Sequence, residues 1–129
     1  MKDLKNNIEP ALSLNPAART SSTNGAAVDL QGYESALVIV HCGAITDGTH
    51  TPSVEHSDAS GSGYTAVAAA DLIGSLAACS ANGIQSVSYI GSKRYVRVVL
   101  TVAGSPATGA IVEAMVARGN ERHKGGVAV

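Results

Sequence analysis

Tyr95-Val96-Arg97-Val98-Val99-Leu100-Thr101-Val102, followed after a Gly-Pro loop by Ala110 to Arg118, decides the fold class of this chain. Both segments alternate as a strand half-buried in a sheet must, since successive side chains point to opposite faces. Val96, Val98, Leu100 and Val102 share one side of the first, with Tyr95, Arg97, Val99 and Thr101 on the other. In the second, Ala110, Val112, Ala114 and Val116 form one row and Ile111, Glu113, Met115 and Ala117 the opposite one. The short connection predicts a hairpin with Val rows toward a core. It would place Arg97 and Glu113 on one outward face as a cross-strand pair. The outer row is greasy for a solvated face, which makes Tyr95, Arg97, Ile111, Glu113 and Met115 a candidate subunit interface.

Outward from this pair, other strand signals recur. Ser35 to Cys42 is nearly continuous in apolar, β-branched residues and predicts a strand buried on both faces. Asp47-Gly48 marks a turn before a weakly alternating stretch from His50 to Asp58. Ala26 to Leu30, Tyr64 to Val67 and Ile84 to Ile90 supply further short strands, and Ala68 to Ala78 predicts a short helical turn in a long crossover. Several short strands with regular turn signals and no strand–helix alternation predict an all-β, antiparallel β-sandwich, jelly-roll-like or Greek-key.

The chain divides into three parts by composition. Residues 1–25 read as an extended N-terminal arm, interrupted by Pro10 and Pro16, with Leu4, Ile8, Leu12 and Leu14 as sparse apolar anchors. Residues 26–119 form the sandwich domain, and 120–129 a polar C-terminal tail. With 129 residues there is room for one core, and with neither Phe nor Trp it must be built from Val, Ala, Leu and Ile.

Composition also bounds function. The net charge is −1 with no basic block, which argues against nucleic-acid binding driven by phosphate neutralisation. No apolar run approaches the roughly 20 residues a helical membrane span needs. Residues 1–7 lead into no apolar stretch, so synthesis in the cytoplasm without a secretory signal is the expectation. Cys42 and Cys79 read better as buried free thiols than as a disulfide, which the sequence leaves open.

A search for reactive chemistry finds little. His50 and His56 share strand parity but lie about 20 Å apart in an extended strand at ~3.3 Å per residue, too far for one metal ion. No Gly-x-Ser-x-Gly elbow positions a nucleophile, and Gly61-Ser62-Gly63 lacks the Lys of a phosphate-binding loop. The expectation is a non-enzyme without catalytic residues, cofactor or metal. A carbohydrate-binding β-sandwich is a rival, although only Tyr33, Tyr64, Tyr89 and Tyr95 offer rings for a sugar to stack on.

Val28 to Ala36, Gly43 to Pro52, Tyr89 to Val98 and the closing Val116-Ala117-Arg118-Gly119 together resemble small structural proteins of tailed bacteriophages and prophages. The resemblance covers about residues 18–119 and carries no catalytic motif. It implies a virion component assembled in the host cytoplasm: a capsid decoration (cement) or minor capsid protein, or alternatively a head–tail connector or neck protein. For a decoration protein it implies the major capsid protein as partner, a homo-oligomer with a trimer favoured, and an arm that ties capsomers together.

Overall fold

A computed structural model describes residues 3–121, 123–124 and 127–128, with backbone alone from Asn120 onward. The chain is an antiparallel β-sandwich. Its strands are β1 (Ile8–Arg19), β2 (Thr23–Asn24), β3 (Val28–Asp29), β4 (Tyr33–Ile45), β5 (Thr49–Ser57), β6 (Thr65–Ala66), β7 (Leu72–Ile73), β8 (Ile84–Tyr89), β9 (Tyr95–Ala103), β10 (Ala110–Glu121), β11 (His123–Lys124) and β12 (Val127–Ala128). One 3₁₀ turn, Ala69–Asp71, lies in the crossover where a helical turn is expected. Sheet I has the order β1-β10-β4-β8-β7; sheet II runs β2-β9-β5-β6, with β3 also on β9. β11 and β12 pair only with each other, and the side chains of the expected polar tail lie outside the described residues.

The two opening segments are strands with the predicted alternation, but they are not a hairpin. β9 pairs with β5 in sheet II, whereas β10 lies between β1 and β4 in sheet I. The loop from 104 to 109 crosses from one layer to the other. Its inward rows are still the predicted ones: Val96, Val98 and Leu100 face Val112, Ala114 and Val116 across the core, all fully buried. Alternation fixes which side of a strand is apolar, and two strands facing each other satisfy it as well as two strands side by side. The predicted pairing of Arg97 with Glu113 fails for the same reason. Arg97 bonds Glu55 of neighbouring β5, and Glu113 bonds His41 of neighbouring β4.

Residues 8–19 are not a detached arm. They form the edge strand β1, in register with β10 from Ile8↔Gly119 to Arg19↔Ala110. Register shifts between Leu12 and Leu14 and between Leu14 and Ala17 accommodate the extra residues around Pro16. An edge strand tolerates prolines because one of its sides needs no ladder donors.

β1 also joins the two sheets. Beside β9, the edge is broken into β2 and β3, which pair with Leu100–Val99 and Val96–Tyr95 respectively. In the gap the buried Ser13 hydroxyl accepts the Val98 N–H at 2.9 Å and donates to the Ala26 carbonyl at 2.9 Å. The Gly25 N–H donates to the Val98 carbonyl at 2.7 Å. A side chain on Gly25 would collide with the Ser13 hydroxyl and that carbonyl. One serine thus stands in for the backbone of a missing strand pair.

The core is small-residued, as composition requires: nine of its members are Val (28, 38, 40, 54, 87, 96, 98, 112 and 116), joined by Leu14, Leu100, Cys42, Ala and a single ring, Tyr89. Cys42 and Cys79 form a disulfide with Cα atoms 6.3 Å apart, contrary to the expectation of free thiols. It fastens the 74–83 crossover loop to β4, while the Cys79 N–H donates to the His50 carbonyl of β5 at 2.7 Å. Spacing in sequence carries no information about this contact, since the loop must first fold back over the sheet.

Candidate functional site

The two outer faces of the sandwich differ in kind. On sheet II, Thr51 opposes Thr101, Ser53 opposes Val99, and Glu55 opposes Arg97. Arg97 donates through Nε and Nη2 to one Glu55 oxygen at 3.0 and 2.6 Å. Its guanidinium also lies 4.0 Å from the centre of the Tyr64 ring. This face is polar, and its charges are paired within it.

On sheet I two outward rows are mostly apolar. Pairing runs Leu12–Met115–Ile39–Ser86 across β1, β10, β4 and β8, and Pro10–Ala117–Leu37–Ser88–Ile73 in the neighbouring row. A third row has Glu113, His41 and Ile84. Ile111 packs beside Gly43 at the far end of β10. Ile84 is 70% exposed, Ile73 62%, Ile111 49%, Leu12 44% and Leu37 37%. His41 and Glu113 bond each other at 3.2 Å in the middle of this surface.

The candidate interface therefore splits. Ile111, Glu113 and Met115 lie on sheet I's outer face, while Tyr95 and Arg97 lie on the opposite side of the molecule, on sheet II. The candidate arm anchors divide as well. Ile8 and Leu12 fall on the same outer face as Met115, with exposed Leu4 beside Ile8 in a groove completed by Pro10. Leu14 is a core residue, 2% exposed. Two sequence features read as separate, the anchors and the greasy row of β10, are neighbours on one surface.

Sequence reasoning missed Leu37, Ile39, Ile73 and Ile84 as members of this surface. The signal was present in the continuous apolar run of β4, which read as burial on both faces. The monomer covers Ala36, Val38, Val40 and Cys42; Leu37 and Ile39 on the other side face outward.

The polar residues singled out for chemistry have structural partners. Asp47 accepts backbone N–H groups of Ala107, Thr108 and Gly109, closing the crossing loop. These bonds, Gly109's and Ala107's first, hold its carboxyl below the usual range. Gly109 itself has a φ of +79° and abuts the Arg19 carbonyl, so a side chain is excluded. His50 is buried, its Nε2 donating to the Asp47 carbonyl at 3.0 Å. His56 instead reaches the Tyr89 hydroxyl at 2.8 Å, so the two histidines serve different ends of β5. Among the described residues, no group of three or more His, Cys, Asp or Glu is placed to hold a metal ion.

A depression of about 480 Å³ opens at one end of the sandwich, between Leu30, Tyr33, Tyr89 and Lys93. Its charges are matched: Lys93 bonds Asp58 at 2.8 Å, and Arg94 grips Asp29 through two bonds of 2.9 and 2.8 Å. The Arg94 fork pulls the Asp29 carboxyl below its ordinary range. Burial pushes the Tyr89 hydroxyl's pKa up. Tyr33 and Tyr95 each carry an arginine over the ring at 5.0 Å, as Tyr64 does, and Tyr89 is inside the core. No described tyrosine presents both ring faces bare to a sugar.

Comparison with protein-family models, with curated proteins and with solved structures finds no match to this chain. Among the described residues, no helix is long and apolar enough to cross a membrane.

Proposed function

We propose that this chain is a virion structural protein of a tailed bacteriophage, a capsid decoration protein that binds the major capsid shell as a homo-oligomer. The sequence resemblance points there, and one structural observation carries it further: a folded sandwich leaves a five-stranded apolar face uncovered. A patch of this size stands at the upper end of what monomeric soluble proteins expose, and the largest patch is often a functional site. Function then lies in surfaces. Each contact with the shell is weak, and several contacts made by one oligomer gain strength through effective concentration. The output is a shell that resists internal pressure.

The position and copy number of the protein in purified particles, by cryo-electron microscopy, test the reading. Many copies spread over the shell support decoration. A single ring at the portal vertex supports the neck alternative, and absence from particles refutes both. Shells lacking the protein are expected to fail at lower temperature and milder osmotic shock than complete ones. Equal resistance refutes the cement role.

A further inference from the structure

The outer face of sheet I is both apolar and nearly uncharged. Leu12, Leu37, Ile73, Ile84 and Ile111 alone expose about 500 Å², at the upper end for the largest patch on an ordinary monomer. Half-buried Ile39 and Met115 fill its centre. Its one carboxylate, Glu113, is already bonded to His41. The apolar run of β4 has the pattern of a strand covered on both sides, and the monomer covers one.

We propose that two copies of this chain pair through these faces, sheet I against sheet I, about a two-fold axis. A head-to-tail ring would set the apolar face of one copy against a different surface of the next. The other broad surface, the outer face of sheet II, is mostly polar, with Thr51, Ser53, Thr101 and the Glu55–Arg97 pair around Val99. Only self-pairing sets apolar against apolar. It also brings together no two surfaces of strong like charge. Counting both copies, the exposed side chains remove about 1,000 Å², and the centre and rim bring this into the range of a standard interface, about 1,200 Å² or more. The inference rests on the surfaces alone and is independent of the virion reading.

Sedimentation velocity on the full chain across a concentration series tests it. The expected result is a dimer at roughly 10 µM. Ile84→Asp and Leu37→Asp, both on accessible side chains, should weaken the dimer at least about tenfold while leaving the circular dichroism spectrum unchanged. Ser53→Asp, on the exposed face of sheet II, should leave association as it is. A monomer or a trimer at roughly 100 µM overturns the proposal. So does a dimer that Ser53→Asp weakens as much as Ile84→Asp does. A wild-type dimer that Ile84→Asp disrupts but that fails to bind capsid shells upholds this pairing and refutes the decoration role.

Discussion

Replacing Ser13 with Ala should cost this small domain more than any exposed serine substitution, although it removes one oxygen. The hydroxyl sits 5% exposed in the gap between β2 and β3, where it accepts the Val98 N–H and donates to Ala26. Val98 is 0% exposed, so water does not take over as acceptor. A buried donor left without a partner costs about 1–3 kcal/mol, and the lost bond to the more accessible Ala26 carbonyl adds up to about 1 kcal/mol. The sum spans about 1–4 kcal/mol, and the middle of that span, about 2–3 kcal/mol, is the expected loss. Ser22 provides the internal control: its hydroxyl accepts the Val102 N–H at the same 2.9 Å, four residues further along β9 and in an exposed setting. There water replaces the hydroxyl, and Ser22→Ala should cost about 0.5 kcal/mol. Thermal and urea unfolding followed by circular dichroism, at one fixed protein concentration, measures both. At about 3–6 °C per kcal/mol for a domain of this size, Ser13→Ala should lower Tm by about 6–18 °C and Ser22→Ala by a few degrees at most. Equal losses for the two variants refute the claim that Ser13 replaces a missing strand pair.

Two further perturbations probe the loops. Loss of the Cys42–Cys79 bond, which closes a separation of 37 residues, should reduce stability by about 3–4 kcal/mol on chain-entropy grounds. Unfolding with and without reductant gives the value, and two alkylatable thiols in unreduced, denatured protein would show that the bond is absent. Asp47 has a folded pKa below its ordinary 3.8, so its contribution is fully present above that value and is lost as pH falls through the lowered one. Asp47→Asn should therefore flatten the decline in unfolding free energy below about pH 4; an acid limb as steep as wild type's would refute the loop-closing role.

Strand positions and inward rows were legible in the sequence because alternation is a local property. Val96-Val98-Leu100 and Val112-Ala114-Val116 are core for the reason their spacing gives. Which strands neighbour one another was not legible. A six-residue connection from Gly104 to Gly109 serves a hairpin or a crossing between layers equally well. The choice depends on Asp47, a distant residue whose carboxylate gathers the N–H groups of that loop. Polar composition and two prolines made residues 1–25 read as an arm, whereas the open side of β10 and the gap beside Val98 recruit them into the sandwich. Those demands come from elements nearly a hundred residues away. The apolar face was half legible: its β10 row and the anchors Ile8 and Leu12 were visible separately, and only the register of sheet I puts them together.

Under the proposed decoration role, a two-fold pair constrains how the protein would meet a capsid. In face-to-face packing the axis lies in the plane between the two sheets, so the outer faces of sheet II point in opposite directions. Only one of them can lie against a shell at a time. A pair that uses both copies equally must instead touch the shell with surfaces that lie along its axis, the strand ends or sheet edges. One such end carries the ion-paired depression between Tyr33, Glu34 and Lys93; one such edge is β1, with the groove at Leu4, Ile8 and Pro10. Two-fold pairing thus moves the expected binding positions from the threefold sites that a trimer would occupy to local twofolds of the shell. It also gives each substitution on sheet I double weight, because every residue of a self-complementary face appears in the interface twice. Ile84→Asp places two carboxylates in one interface, each beside a His41 that is already bonded to Glu113.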